Sequence, residues 1–296
     1  MSQIHPLALV SPRAEIGRDV TIGPFCVVES DVQIGDRCSL GARVSVKEGT
    51  RLGADNEIAE GVVLGGKPQH KRAGDHLGEL IIGQGNMIRE FVTIHRGLHP
   101  GGATTIGDAN LIMVQAHIAH DCSIGHRTVI ANNVMLAGHV TVGEGANLSG
   151  AVGVHQFCRV GQFAMVGGQA HVNQDIPPYV TVDGESTTIV GLNVIGLRRA
   201  GFTAEDLDQL KQAYRIIFRS GMTWNETLRV LASTFDRGPA AQFHPFLSVG
   251  QRGFLRERRT PRSAAITFPQ PQGTEGVAVA TSSDHVSQIV PLRQAS

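Results

Sequence analysis

The chain has 296 residues, 41% of them apolar, only 5% aromatic, and 36 of them glycine, so its core has to be built from aliphatic side chains. Its 26 Lys and Arg balance 26 Asp and Glu, and bulk charge therefore recommends neither a nucleic acid nor an anionic membrane as partner. No run of 18 apolar residues occurs, which argues against a membrane-embedded helix; the opening residues lack the charged-then-apolar layout of a secretion signal, and the cytoplasm is the expected location.

From the first residues onward the chain keeps a period of six. An aliphatic residue stands at every sixth position from Ile4 to Leu64, again from Ile82 to Ile94, and again from Ile106 to Val172. We call these the anchor residues. Glycine often follows the anchor, as at Gly17, Gly35, Gly125 and Gly143, and a small or short residue often stands two places before it, as at Ala14, Cys26, Ala116 and Ala146. Six fits neither an amphipathic helix nor an alternating strand. It fits short strands joined by tight turns, three to a coil, with residue i stacked beside i+18: a parallel β-helix in which each coil buries its face on its neighbours. The glycine after each anchor is expected to permit the turn. The four cysteines, Cys26, Cys38, Cys122 and Cys158, all occupy the small position before an anchor; this makes them buried fillers rather than disulfides or zinc ligands. The pattern resembles hexapeptide-repeat transferases, which implies a left-handed coil and a homotrimer.

Two polar stretches interrupt the hexads, at 65–80 and 97–105. A solenoid extrudes insertions as loops, often on its binding face. The repeat stops near the paired prolines 177–178, and the coil domain is expected to span 1–195. An α-helical domain follows over 196–259. Its first long helix covers 203–221 with Thr203 and Asp206 as a capping box; its second opens on Thr223 and Glu226 and closes before Gly238-Pro239; a third helical segment is expected over 241–256. Residues 260–296, rich in Pro, Gln, Ser and Thr, show no period and read as disordered. Between Arg198 and Arg262 there are 12 Lys/Arg against 6 Asp/Glu, a basic face that suits an acidic protein partner.

Five of the 13 histidines fall between His117 and His155, none at an inward position. Stacking by 18 sets Gly138 over His120 and His139 over Asp121, with His155 and Gln156 on the next coil. Imidazole can take a proton from a hydroxyl, Asp121 can orient it, and a glycine leaves its N–H open to an oxyanion. Those parts suit acyl transfer to an alcohol without a covalent intermediate. Clustered histidines can also hold zinc, so a zinc hydratase of β-helix type is the competing class, and a scaffold that binds a sugar nucleotide without turnover is a third.

The segments IREFVTIHRG (88–97), HIAHDC (117–122), LAGHV (136–140), VHQFCRVG (154–161), MVGGQAHVNQDIPPYV (165–180) and GLRRAGF (196–202) together resemble the UDP-N-acetylglucosamine O-acyltransferases, which open lipid A synthesis. The resemblance runs to about residue 255. It implies transfer of a 3-hydroxyacyl group from the phosphopantetheine of acyl carrier protein to the 3-hydroxyl of UDP-N-acetylglucosamine, with no other cofactor and no metal. It implies His120 as general base, Asp121 as the acid that tunes it and Gly138 as oxyanion donor. His117, His139, His155 and Gln156 would line the sugar-nucleotide and acyl pocket, Asn193, Arg199 and Lys71 would contact substrate, and Gly168 would leave room for a longer acyl chain. Three positions depart from the family pattern: His70 stands where an acid is expected, and Ile195 and Ala200 replace an acid and an arginine. Those departures leave open a different sugar nucleotide as acceptor.

Overall fold

The computed structural model describes residues 2–259; the disorder expected from residue 260 onward lies outside the described residues. The hexads wind into a left-handed parallel β-helix. Its strands, mostly two residues long, gather into three sheets of eleven, nine and eight strands, one for each face of a triangular prism. The register is the one the period dictates: Ile4 pairs with Ile22, Val28 with Val46 and Ile34 with Leu52. A two-residue strand has no stability of its own, so each coil is held by the coils above and below. Ile22, Ile58, Ile118 and Ile130 are at most 1% exposed, each contributing about 1.5–3 kcal/mol by leaving water. Ile4, in the end coil, remains 46% exposed because, among the described residues, no strand stacks beneath it.

All four cysteines are free thiols in the interior, as their phase predicts. Burial pushes the Cys122 thiol up to about 12, so it is inert as a nucleophile at neutral pH. Some of the small inward positions are polar and pair along the prism axis. Asn86 and Asn110 each donate an amide to the asparagine one coil below, and Thr128 donates its hydroxyl to Asn110 Oδ1. Buried polar groups stacked this way satisfy one another.

The turns differ from expectation. Left-handed backbone occurs three residues past the anchor, at Asp19, Phe25, Arg37, Asp121, His139 and their equivalents, and most of these are not glycine. The glycine directly after the anchor has a different task. A Cβ at Gly35 would stand 2.6 Å from Ala54 N, and one at Gly143 would stand 2.5 Å from Gln162 N. Glycine there lets one coil lie close on the next; it does not bend the chain.

Both interruptions leave the stack in phase. Across the first, partners are 30 residues apart, as in Val63 with Thr93; across the second they are 24 apart, as in Thr93 with His117. The strands Val63–Gly66, Glu79–Ile82 and Ala103–Ile106 extend into the interruptions, while Thr93–His95 stops just short of the second, so the loops proper are 67–78 and 96–102.

The last strands are Val180–Val182 and the antiparallel Ile189–Leu192. Helix α1 then spans Val194–Arg199, α2 Ala204–Arg219 and α3 Trp224–Thr234. Both capping boxes form, on Thr203 with Asp206 and on Thr223 with Glu226. The third helical segment is much shorter than expected. A 3₁₀ turn at Pro239–Gln242 leads into α4, Phe243–Leu247. The chain then extends and bridges back to the coil, where Asp175 pairs with Phe254 and Ile189 with Glu257. That return is anchored by Arg159, whose guanidinium meets the buried Asp175 carboxylate at 2.7 Å. No described helix is long and apolar enough to cross a membrane.

Candidate active site

His120 and Asp121 occupy one corner of the prism, immediately after the strand His117–Ile118. Asp121 adopts the left-handed conformation (φ 58°) and donates its backbone N–H to Thr104 Oγ1 at 2.8 Å. That turn brings its carboxylate back to the His120 ring, with Oδ2 2.7 Å from Nδ1. The Leu98 N–H donates to the same carboxylate at 3.1 Å, so loop 96–102 fixes the acid from its other side. His120 is 8% exposed. With Nδ1 engaged by the carboxylate, Nε2 is left as the proton acceptor.

That free edge of the ring faces Gly138 in the coil above. A Cβ there would come within 2.7 Å of Cε1 and 2.8 Å of Nε2; only glycine leaves the ring its place. Among the described residues the Gly138 N–H has no hydrogen-bond partner, and neither do the N–H groups at the same corner position in His120, Asn132, Gly150 and Gln156. Base and open donor therefore share one small volume.

Around them runs a cleft of about 650 Å³, lined by His117, His120, Gly138, His155 and Gln156 among others. His117 Nδ1 lies 2.8 Å from Thr93 Oγ1, and its ring meets His95 edge-on at 5.0 Å. Burial pushes both imidazoles below the ordinary histidine value. It does the same for His139, against the opposing pull of the Asp121 carboxylate. His139 stacks on Phe157 at 4.6 Å, and His155 is met by Arg252 at 2.7 Å. Loop 67–78 closes the mouth: His70 packs edge-on against His120 at 5.4 Å, and Lys71 lines the same opening with His139 and Gln156.

His120, Asp121 and His139 offer ligand atoms within 4.8 Å of one another, a donor set that zinc could use. Oδ2 of the Asp121 carboxylate already meets both His120 Nδ1 and the Leu98 N–H.

The comparisons with known proteins fit this arrangement. A family model described as "Udp N-acetylglucosamine O-acyltransferase; Domain 2" matches residues 175–255, and one for bacterial transferase hexapeptide repeats matches 103–138. Proteins named acyl-acyl-carrier-protein–UDP-N-acetylglucosamine O-acyltransferase from Halorhodospira halophila and Thiobacillus denitrificans are 44% and 49% identical, over 86% of this chain and all of theirs. The chain belongs to the UDP-N-acetylglucosamine O-acyltransferase family. A solved UDP-N-acetylglucosamine acyltransferase from Francisella novicida superposes with a TM-score of 0.85 at 35% identity, covering 90% of this chain and 100% of that one. The enzyme from Arabidopsis gives 0.73 at 38%, covering 86% and 100%.

Not every residue that the O-acyltransferase resemblance singled out lies in this cleft. Asn193 and Arg199 line a separate one of about 920 Å³ on another face of the prism, together with Ile195 and Ala200. The Asn193 side chain caps α1, accepting from Gly196 N at 3.1 Å and donating to Phe163 O at 2.9 Å. Gly168 sits exposed on a different edge, above Gly150. Within one chain these three do not meet His120. Conversely, three contributors escaped the sequence reading: His95, Thr104 and the Leu98 N–H. His95 stands directly after an anchor, in a segment quoted for its resemblance, but nothing in the period marks it as a neighbour of His117.

Proposed function

We propose that this chain transfers a 3-hydroxyacyl group from acyl carrier protein to the 3-hydroxyl of UDP-N-acetylglucosamine, the first step of lipid A biosynthesis. The observation that carries the reading is the His120–Asp121 pair set against the open N–H of Gly138. His120 Nε2 takes the proton of the sugar hydroxyl as its oxygen attacks the thioester carbonyl. The tetrahedral oxyanion forms against the Gly138 N–H, where a positioned donor contributes about 2.7–4 kcal/mol. Collapse expels the phosphopantetheine thiolate, which recovers the proton from imidazolium His120. Asp121 holds the ring in the tautomer this needs and stabilises its charge. No protein nucleophile is required, and no metal or cofactor enters the balance.

The remaining roles are part of the same proposal. His117, His139, His155, Gln156 and Lys71 contact substrate in the cleft. Asn193 and Arg199 contact the nucleotide from a neighbouring copy, because their face of the prism is not that of His120; a threefold assembly brings such faces together, and we infer a homotrimer in the cytoplasm. The basic helical domain receives the acidic carrier protein. Gly168 leaves room for a long acyl chain.

The test is turnover with UDP-N-acetylglucosamine and 3-hydroxyacyl carrier proteins of graded length, with product followed by mass spectrometry. Product with one preferred length supports the reaction and calibrates the role of Gly168. A folded protein that makes none with any chain refutes the acceptor or the reaction; the altered loop with His70, together with Ala200, then points to another sugar nucleotide. Stoichiometric zinc in active protein, lost together with activity on chelation, would favour the zinc reading instead.

A further inference from the structure

Arg252 belongs to none of the motifs used above. It lies in the bend after α4, 97 positions from His155, yet its Nη2 stands 2.7 Å from His155 Nδ1. His155 in turn lines the His120 cleft. We propose that Arg252 is a positioning residue that selects the tautomer of His155, leaving Nε2–H to donate to an acceptor oxygen of the substrate.

A guanidinium has five N–H donors, no acceptor, and does not lose its proton in proteins. Its partner nitrogen must therefore accept, which places the ring proton on Nε2. The Gln156 carbonyl, 3.2 Å from the same Nδ1, would ask for the opposite tautomer. At 2.7 Å, however, a protonated Nδ1 would set two N–H groups head on, so the shorter contact decides. Arg252 is itself held in place. Its Nε is buried without a hydrogen-bond partner, and the hold is on the backbone beside it, where Gly253 O accepts from Asp175 N at 2.8 Å. The same guanidinium opposes the upward push of burial on both Cys158 and Asp175. The C-terminal return of the chain thus touches the wall of the cleft, at His155, through one cation. The identity of the acceptor oxygen rests on the proposed acyl transfer; the tautomer does not.

The experiment uses the full chain labelled with ¹⁵N-histidine, with long-range proton–nitrogen correlations assigned to His155 through His155→Gln. The wild type is expected to show a bare Nδ1 and a protonated Nε2. Arg252→Lys, also a pure donor, is expected to keep that pattern. Arg252→Gln can accept as well as donate, and is expected to mix the tautomers and raise a substrate KM about three- to tenfold with kcat within twofold, the scale of one hydrogen bond. A protonated Nδ1 in the wild type overturns the proposal. So does an unchanged tautomer in Arg252→Gln, whether KM moves or not, since the arginine would then only pack. Absence of turnover in the wild type would count against the acyltransferase reading, while the nitrogen spectra would still decide the tautomer.

Discussion

Consider Gly138→Ala, the addition of one methyl group above the His120 ring. Gly138 is not among the residues with positive φ, so alanine suits the backbone and the coil should fold. The methyl carbon, however, would lie 2.7 Å from Cε1, 2.8 Å from Nε2 and 3.2 Å from Nδ1. To restore ordinary contact the ring must retreat by about 0.7 Å, a shift that, along its hydrogen bond, would carry the Asp121 contact from its ideal range toward the limit of bonding. Asp121 cannot follow, because Thr104 fixes its backbone and the Leu98 N–H fixes its carboxylate. A base displaced by about an ångström loses about 10²-fold, or about 2.7 kcal/mol of transition-state stabilisation. Steady-state kcat/KM with an acyl carrier protein donor should therefore fall by about that factor, while the melting temperature moves by only a few degrees. Activity within threefold of wild type would refute the placing of base and oxyanion donor in one volume.

Three other expectations follow from the same geometry. Asp121→Asn keeps the shape but can present an amide N–H to His120 Nδ1, moving the ring proton to Nε2; kcat should drop about 10²–10⁴-fold with the oligomer intact by light scattering, and a normal kcat would remove Asp121 from the mechanism. His95 and His117 are held below the ordinary histidine value by burial, so the unfolded chain binds more protons than the folded one as pH falls below about 6.5. Thermal stability should be full above that pH and decline beneath it, and His95→Gln should flatten the decline; a variant with an unchanged slope would exclude His95 as a source. Thr203→Ala removes the hydroxyl that caps α2, which should cost about 1 kcal/mol in denaturant unfolding without altering KM for the sugar nucleotide.

The coil was readable because its period is set by burial alone: one aliphatic residue per side must point inward, and Ile4, Ile22 and Leu40 follow from that. The turn chemistry was misread. Left-handed backbone costs a residue such as Phe25 or Arg37 about 1–2 kcal/mol, and pairing with the coils on either side holds it there regardless. Hence the glycines were free to serve coil-to-coil approach instead. The juxtaposition of residues within one unbroken run was equally legible, since His120, Gly138 and Gln156 are spaced by 18. Contacts that cross an interruption were not. His95 meets His117, and Leu98 meets Asp121, only because the intervening loop lengthens the stacking interval, and no periodicity announces where an extruded loop returns. The third helix failed for another reason: Gly253 and the chain after it satisfy their backbone groups by pairing with Asp175 and Ile189, a tertiary reward that local pattern does not contain.

The unpaired N–H groups along the prism corners have a wider implication. Arg18, Glu48, Gln84 and Asp108 have the equivalent N–H taken by a neighbouring side chain, but His120, Gly138 and Gln156 leave theirs open along one edge, so the scaffold offers potential anion sites before any chemistry is specified. Under the proposed mechanism, what turns one rung into a reaction centre is a base one coil away and a glycine that admits it. A new site could arise by moving an imidazole along the edge rather than by building an oxyanion hole, which makes this fold unusually cheap to diversify.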